Sequence, residues 1–111
     1  MSRTRKNENP ELSLRLTFAR NVRLVRVHQA MSQERLADEA GLDRTFIGTL
    51  ERGLRNISID NIELISHAVG ISAQEMLDPA LAEKHGLDVT LTRAPRTVRA
   101  EPIKRRKRIP R

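Results

Sequence analysis

The stretch Met31-Ser-Gln-Glu-Arg-Leu-Ala-Asp-Glu-Ala-Gly-Leu-Asp-Arg-Thr-Phe-Ile-Gly-Thr-Leu-Glu-Arg-Gly53 leaves the backbone few choices. Ser32 has a side-chain oxygen that can cap the free N–H groups of a following turn, with Glu34 and Arg35 in that turn. Leu36, Ala37 and Ala40 supply a buried face at helical spacing. Gly41 then stands where a left-handed residue ends the helix. Asp43 is placed to cap a further helix from Arg44 to about Arg52, closed by Gly53. Ala37 is small where the two axes approach, and Leu36, Ala40, Ile47 and Leu50 interlock beneath. The spacing predicts two short helices meeting at a tight turn centred on Gly41, the second with its outer face free.

The flanks supply the rest of a small helical body. Leu14, Phe18, Val22 and Val25, spaced by four, four and three, predict a first helix over about 12–30. Leu24 and Val27 fall off that stripe and are expected to meet an N-terminal arm, a second subunit or solvent. Residues 53–57 read as a loop. Ser58 caps a fourth helix whose apolar face is Ile59, Ile62, Ile65, Ala68 and Val69, ending at Gly70. Ser72 caps a short fifth helix through Met76 and Leu77. Asp78-Pro79 fits a cap followed by proline at the first helical position, so a short helix is expected to run to His85 before Gly86. Leu87, Val89 and Leu91 alternate with Asp88, Thr90 and Thr92, which reads as a brief strand. The expected domains are a polar arm at 1–11, a helical domain at 12–78, an extension at 79–92 that is a candidate dimer element, and a basic tail at 93–111, disordered in isolation.

Composition excludes several classes. With no Trp, no Tyr and 38% apolar residues, a small core of helical character can still form from Leu, Ile, Val and Ala. Absence of cysteine rules out disulfides and thiolate metal sites and fits a reducing cytosol. No apolar run approaches the roughly 20 residues that cross a membrane, and the basic start Met-Ser-Arg-Thr-Arg-Lys has no apolar stretch behind it. A soluble, cytoplasmic protein is expected. His28, His67 and His85 lie 39 and 18 residues apart without a carboxylate cluster at ligand spacing, so no metal is expected. Ser58 and Ser72 read as caps, no Ser–His–Asp spacing is present, and neither an enzyme nor a cofactor is expected. The net charge is +7, yet residues 93–111 alone carry nine Arg or Lys and one Glu, while residues 12–92 carry nine basic and eleven acidic side chains. Basicity by itself therefore describes the tail, not the fold.

The 31–53 segment resembles the helix-turn-helix of the phage Cro and cI repressor family, also called the XRE family. The likeness spans about residues 17–77 and rests on Ser32-Gln33, Leu36-Ala37, Gly41, Ile47, Glu51-Arg52-Gly53, Arg55-Asn56 and Ala68-Val69-Gly70-Ile71. The run from Leu42 to Asn56 is also similar to controller proteins of restriction–modification systems. The resemblance implies an all-α, five-helix repressor-like DNA-binding domain that regulates transcription, with the helix after Gly41 entering the major groove. It implies that Arg44, Thr45 and Thr49 face bases, Arg44 donating twice to guanine. It also implies that Gln33, Arg52, Arg55 and Asn56 hold phosphates. Arg26 and Glu51 resemble a family pair joining the first helix to the recognition helix. Gly48, inside the recognition helix, leaves bare backbone for close approach to DNA or to the second helix. Ile57 stands where the family often has proline.

The alternative for Arg44, Thr45 and Thr49 is a solvated helix surface. The tail run Lys104-Arg-Arg-Lys-Arg108 reads either as a solubilising end or as a non-specific phosphate contact. The partners expected are double-stranded DNA and a second copy of the chain, joined through Gln74, Met76, Leu77 and Leu81. RNA polymerase is a further partner if the role is activation. The competing class is an antitoxin-like module that neutralises a toxin partner and autoregulates its operon.

Overall fold

The structure is a computed structural model and describes residues 13–91. The arm expected at 1–11 and the tail expected at 93–111 lie outside the described residues. The described elements are all helices: α1 (Leu14–His28), α2 (Gln33–Ala40), α3 (Arg44–Glu51), α4 (Ile59–Val69), α5 (Ala73–Met76) and α6 (Leu81–His85). No helix among them is long and apolar enough to cross a membrane.

Serine starts most of these helices. The hydroxyl oxygens of Ser13, Ser32, Ser58 and Ser72 accept from the backbone N–H groups of Leu16, Arg35, Asn61 and Glu75. Each satisfies one of the donors that a helix start leaves unpaired. Asp43 departs from the expectation: its backbone is extended as a cap requires, but its carboxylate makes no capping bond to α3. Gly41 ends α2 at φ 72°, a conformation that costs a side-chain-bearing residue about 1–2 kcal/mol. α1 closes through Ala30, which does bear a Cβ and sits at φ 58°. Bonds from Ala30 N–H to the Val27 carbonyl (3.0 Å) and from Met31 N–H to the Arg26 carbonyl (3.0 Å) hold that turn.

α2 packs against α3 and α4, while α1 lies against α3, α4, α5 and α6. The core contains the expected Phe18, Val22 and Val25 of α1, Leu36 of α2, Ile47 and Leu50 of α3, and Ile65 and Val69 of α4. Ile62 is only partly buried against it, and two members of the expected stripes are exposed. Leu14 and Ile59 are 64% and 81% exposed. Both are first-turn residues at the edge of the described body, where no described element covers them. Leu24 and Val27 move the other way and are buried. α6 packs on α1, and its Leu81, with Leu87 just beyond, shares the core cluster with Leu24. Each such side chain is worth about 1.5–3 kcal/mol of burial.

The extension is held on α1 by polar contacts as well. Asn21, fully buried, donates its amide to the carbonyls of Met76 (2.8 Å) and Asp78 (2.9 Å). Arg20 donates to the Pro79 carbonyl at 3.1 Å. Asp78 caps a turn rather than a helix: its Oδ1 accepts from Ala80 N–H at 2.8 Å, and α6 begins at Leu81, two residues after Pro79. The Lys84 ammonium, 2.7 Å from Oδ2, and the Ala80 N–H hold the Asp78 carboxyl below its usual range. The strand expected over 87–92 is a turn through its described residues. Asp88 Oδ1 accepts from both the N–H (2.9 Å) and the hydroxyl (2.7 Å) of Thr90, and Leu91 N–H reaches the Asp88 carbonyl. An aspartate that binds its own backbone two residues on favours a turn over an extended chain. Only Leu87 of the alternating set is buried.

Asn21→Ala should lower the unfolding free energy by about 2–3 kcal/mol, because two backbone carbonyls lose their donor and a small cavity opens. Urea denaturation reads this directly. A loss below about 0.5 kcal/mol would mean that apolar contact alone holds the extension.

Candidate nucleic-acid interface

The orientation of α3 follows from a polar knot under it. Arg26 Nε and Nη2 donate to the two Glu51 carboxylate oxygens at 2.7 and 3.0 Å, and Nη1 donates to the Met31 carbonyl at 2.8 Å. The two side chains are only 6% and 4% exposed. The expected pair is therefore present, buried and bidentate, and it also ties down the α1–α2 turn. Glu51 Oε1 accepts a third bond, from Gln33 Nε2 at 3.1 Å. A forked arginine whose three nitrogens each find a partner repays much of the desolvation cost of burying two charges.

With Ile47, Gly48 and Leu50 turned inward, the opposite face of α3 is left outward. Arg44 and Thr45 are exposed at its first turn, and Thr49 is half-buried one turn on. The Thr49 hydroxyl donates back to its own helix, at the carbonyls of Thr45 (3.2 Å) and Phe46 (3.1 Å). Its outward offering is accordingly a methyl group and acceptor lone pairs. Gln33, first residue of α2, is half-buried with its amide on Glu51, so the side chain is oriented from below and the helix N-terminus stays accessible beside it. Arg52, Arg55 and Asn56 are all exposed in the loop that follows α3.

Two side chains at this face escaped the sequence reading. The Arg55 guanidinium lies over the Phe46 ring, 4.7 Å from its centroid. Such a cation–π contact fixes the cation by about 0.5–1 kcal/mol at an exposed site. Arg15 of α1 donates to Asn56 Oδ1 at 3.3 Å, which adds a cation to the loop and leaves the Asn56 amide N–H groups as its donor end. Neither pairing has a local spacing signature, since the partners are 9 and 41 residues apart. The loop itself is set by Gly53 at φ 76°, where a Cβ would collide with Leu16. Gln74 is exposed and Leu77 half-buried, but Met76 and Leu81, expected at a subunit interface, are 0% and 1% exposed. They are spent in the protomer's own core and cannot also cover a partner. No group of three or more potential metal ligands occurs among the described residues.

Gly48 faces α2, not the outer side, and a Cβ there would lie 3.7 Å from Gln33 Oε1, an ordinary contact. Close approach therefore does not require the glycine. Gly48→Ala should stabilise the fold by about 0.5–1 kcal/mol through helix propensity. A lower thermal midpoint in this variant would reveal a tighter α2–α3 contact than the geometry gives.

A helix-turn-helix family model matches residues 22–76, from within α1 through α5. The control protein C.BamHI of Bacillus amyloliquefaciens is 49% identical over 67 residues, covering 60% of this chain and 83% of that protein. The crystal structure of the hypothetical transcription factor NHTF from Neisseria superposes with a TM-score of 0.63 at 38% identity, over 73% of this chain and 93% of that one. The restriction–modification controller protein C.Esp1396I, solved as a tetramer with its natural 35 base-pair operator, superposes with a TM-score of 0.54 at 36% identity, over 58% of this chain and 88% of that one. The chain belongs to the helix-turn-helix family of DNA-binding transcription regulators, of the XRE type that includes the restriction–modification controller proteins.

Proposed function

We propose that this protein is a controller-type regulator that binds a two-fold operator as a dimer, reading base edges with α3 and phosphates with the residues around it. The observation that carries the reading is the exposed first turn of α3, held at one angle by the buried Arg26–Glu51 pair. Arg44 would reach guanine O6 and N7 with both arms of its guanidinium, and Thr45 would take a neighbouring base or phosphate. Thr49, its hydroxyl engaged, would contribute methyl contact with thymine. The α2 N-terminus with Gln33 would bind one phosphate, and Arg52, Arg55 and Asn56 would bind others along the same strand. Phe46 supports Arg55 and Arg15 supports Asn56 in those tasks. Gln74 and Leu77 are the outward members of the expected dimer surface. This role places the protein in the cytoplasm with its DNA.

Arg44→Ala should cost about 1–3 kcal/mol of discrimination against operators altered at one base pair, while weak, salt-sensitive binding survives. Competition binding with matched and mismatched duplexes measures it; equal discrimination by both proteins would remove Arg44 from base readout. Recognition helices of a dimer should sit about 34–36 Å apart, one turn of DNA. Sedimentation at micromolar concentration is expected to give a dimer, and a strict monomer even with operator present would sink the two-fold model.

A further inference from the structure

We propose that α1 takes part in DNA binding through Arg15, which with Asn56 forms a seat for one backbone phosphate of the duplex. The proposal rests on the recognition-helix reading above, because that reading lays the DNA backbone along the α3–α4 loop. It adds to that loop a cation from a different helix.

The first argument is charge. Residues 13–30 hold four Arg and no Asp or Glu, and residues 52–59 hold two Arg and no acid. Residues 32–51 hold two Arg against five acids. The surface where α1 meets the α3–α4 loop is therefore the side of the helix-turn-helix that suits a polyanion. Three of the α1 arginines are already engaged. Arg26 is buried on Glu51, and Arg20 and Arg23 donate to the Pro79 and Leu91 carbonyls. Arg15 is exposed, and no carboxylate among the described residues pairs with it.

The second argument is the chemistry of the pair. Arg15 Nη1 donates to Asn56 Oδ1 at 3.3 Å. That contact engages the only acceptor on the two side chains, and what remains is guanidinium and amide N–H groups. A phosphate only accepts, and its paired oxygens suit a fork of N–H donors. The seat is held from below. Leu16 lies against Gly53, where a Cβ would collide with it, so the first turn of α1 rests directly on the loop. Arg55, next to Asn56, is fixed over the Phe46 ring, 4.7 Å from its centroid. At 3.3 Å on an exposed surface, the Arg15–Asn56 bond is long and a weak brace for the fold. Folding gives Arg15 little to do, and its charge is left for a ligand. With Arg52 and Arg55 on the same loop, a run of phosphates fits better than a single carboxylate of a protein partner.

The test uses the full chain and a duplex that it selects from a random DNA pool. Arg15→Gln keeps a donor for Asn56 and removes the charge, whereas Arg15→Lys keeps the charge. Binding is measured between about 50 and 200 mM salt. The Gln variant should flatten the log–log slope by about 1 per protomer and weaken a dimer about tenfold at the upper salt. Its preferred sequence and thermal midpoint should not move. The Lys variant should recover the slope. An unchanged slope in the Gln variant, or equal loss of binding in both variants, overturns the proposal. Duplexes with a single methylphosphonate linkage then locate the contact. One linkage per half-site should weaken the full chain and leave the Gln variant unaffected. Linkages that weaken both proteins equally at every position overturn the proposal. A full chain that selects no preferred duplex fails the recognition-helix reading itself, whereas a selected duplex with an unchanged slope fails the Arg15 contact alone.

Discussion

The buried fork of Arg26 on Glu51 is the constraint on which the working face depends. Its three donating nitrogens reach α3 and the turn between α1 and α2, and Glu51 in turn holds Gln33 at the start of α2. Buried ion pairs add little net stability when compared with well-packed apolar residues. What a planar, bidentate contact adds is direction. α3 cannot roll about its own axis without breaking two charge-assisted bonds in a dry site. The outward turn at Arg44 and Thr45 is thereby presented at one angle, and the Gln33 side chain is aligned to the same frame.

The extension beyond α5 changes what α1 is. In isolation α1 has one apolar stripe and two stray apolar residues. With α6 and Leu87 docked, the strays are core, and α1 is covered on most sides by α3, α4, α5 and α6. Asn21 makes this joint directional by donating to the carbonyls at the end of α5; Arg20 and Arg23 donate to the Pro79 and Leu91 carbonyls, and His28 Nε2 accepts from Asp88 N–H. The extension is thus part of the domain. Met76 and Leu81 are inward, which leaves exposed Gln74 and half-buried Leu77 as the remaining members of the expected dimer surface.

The residues proposed to read bases and most of the net positive charge lie in different segments of this chain. The helix-turn-helix is net acidic, so long-range attraction cannot come from it, and its exposed first turn is suited to geometry-dependent contacts. Arg55 stacked on Phe46 and Arg15 beside Asn56 bring two cations to one loop.

Much of the architecture was legible in the residues. The serine caps, the glycine stops and the 3.6-residue stripes of Phe18, Val22 and Val25 are local effects, carried by neighbours a turn apart, so α1 to α5 could be read in order. The family resemblance supplied the Arg26–Glu51 pair and the candidate positions on α3. Asp43, Asp78 and the 87–92 alternation were misread because one aspartate can cap a helix, close a turn or do neither, and only the surrounding backbone selects. Leu14 and Ile59 carry the right periodicity but stand where the body ends, and periodicity does not say what lies opposite. The sequence by itself therefore determined which segments are helical, where most of them begin and stop, and that a helix–turn–helix sits at 32–53. Only the tertiary structure decided which apolar residues are covered, that Arg55 rests on Phe46 and Arg15 on Asn56, and that the extension straps α1. Those outcomes depend on groups 9 to 68 residues apart meeting in space, and no local rule of spacing encodes such encounters.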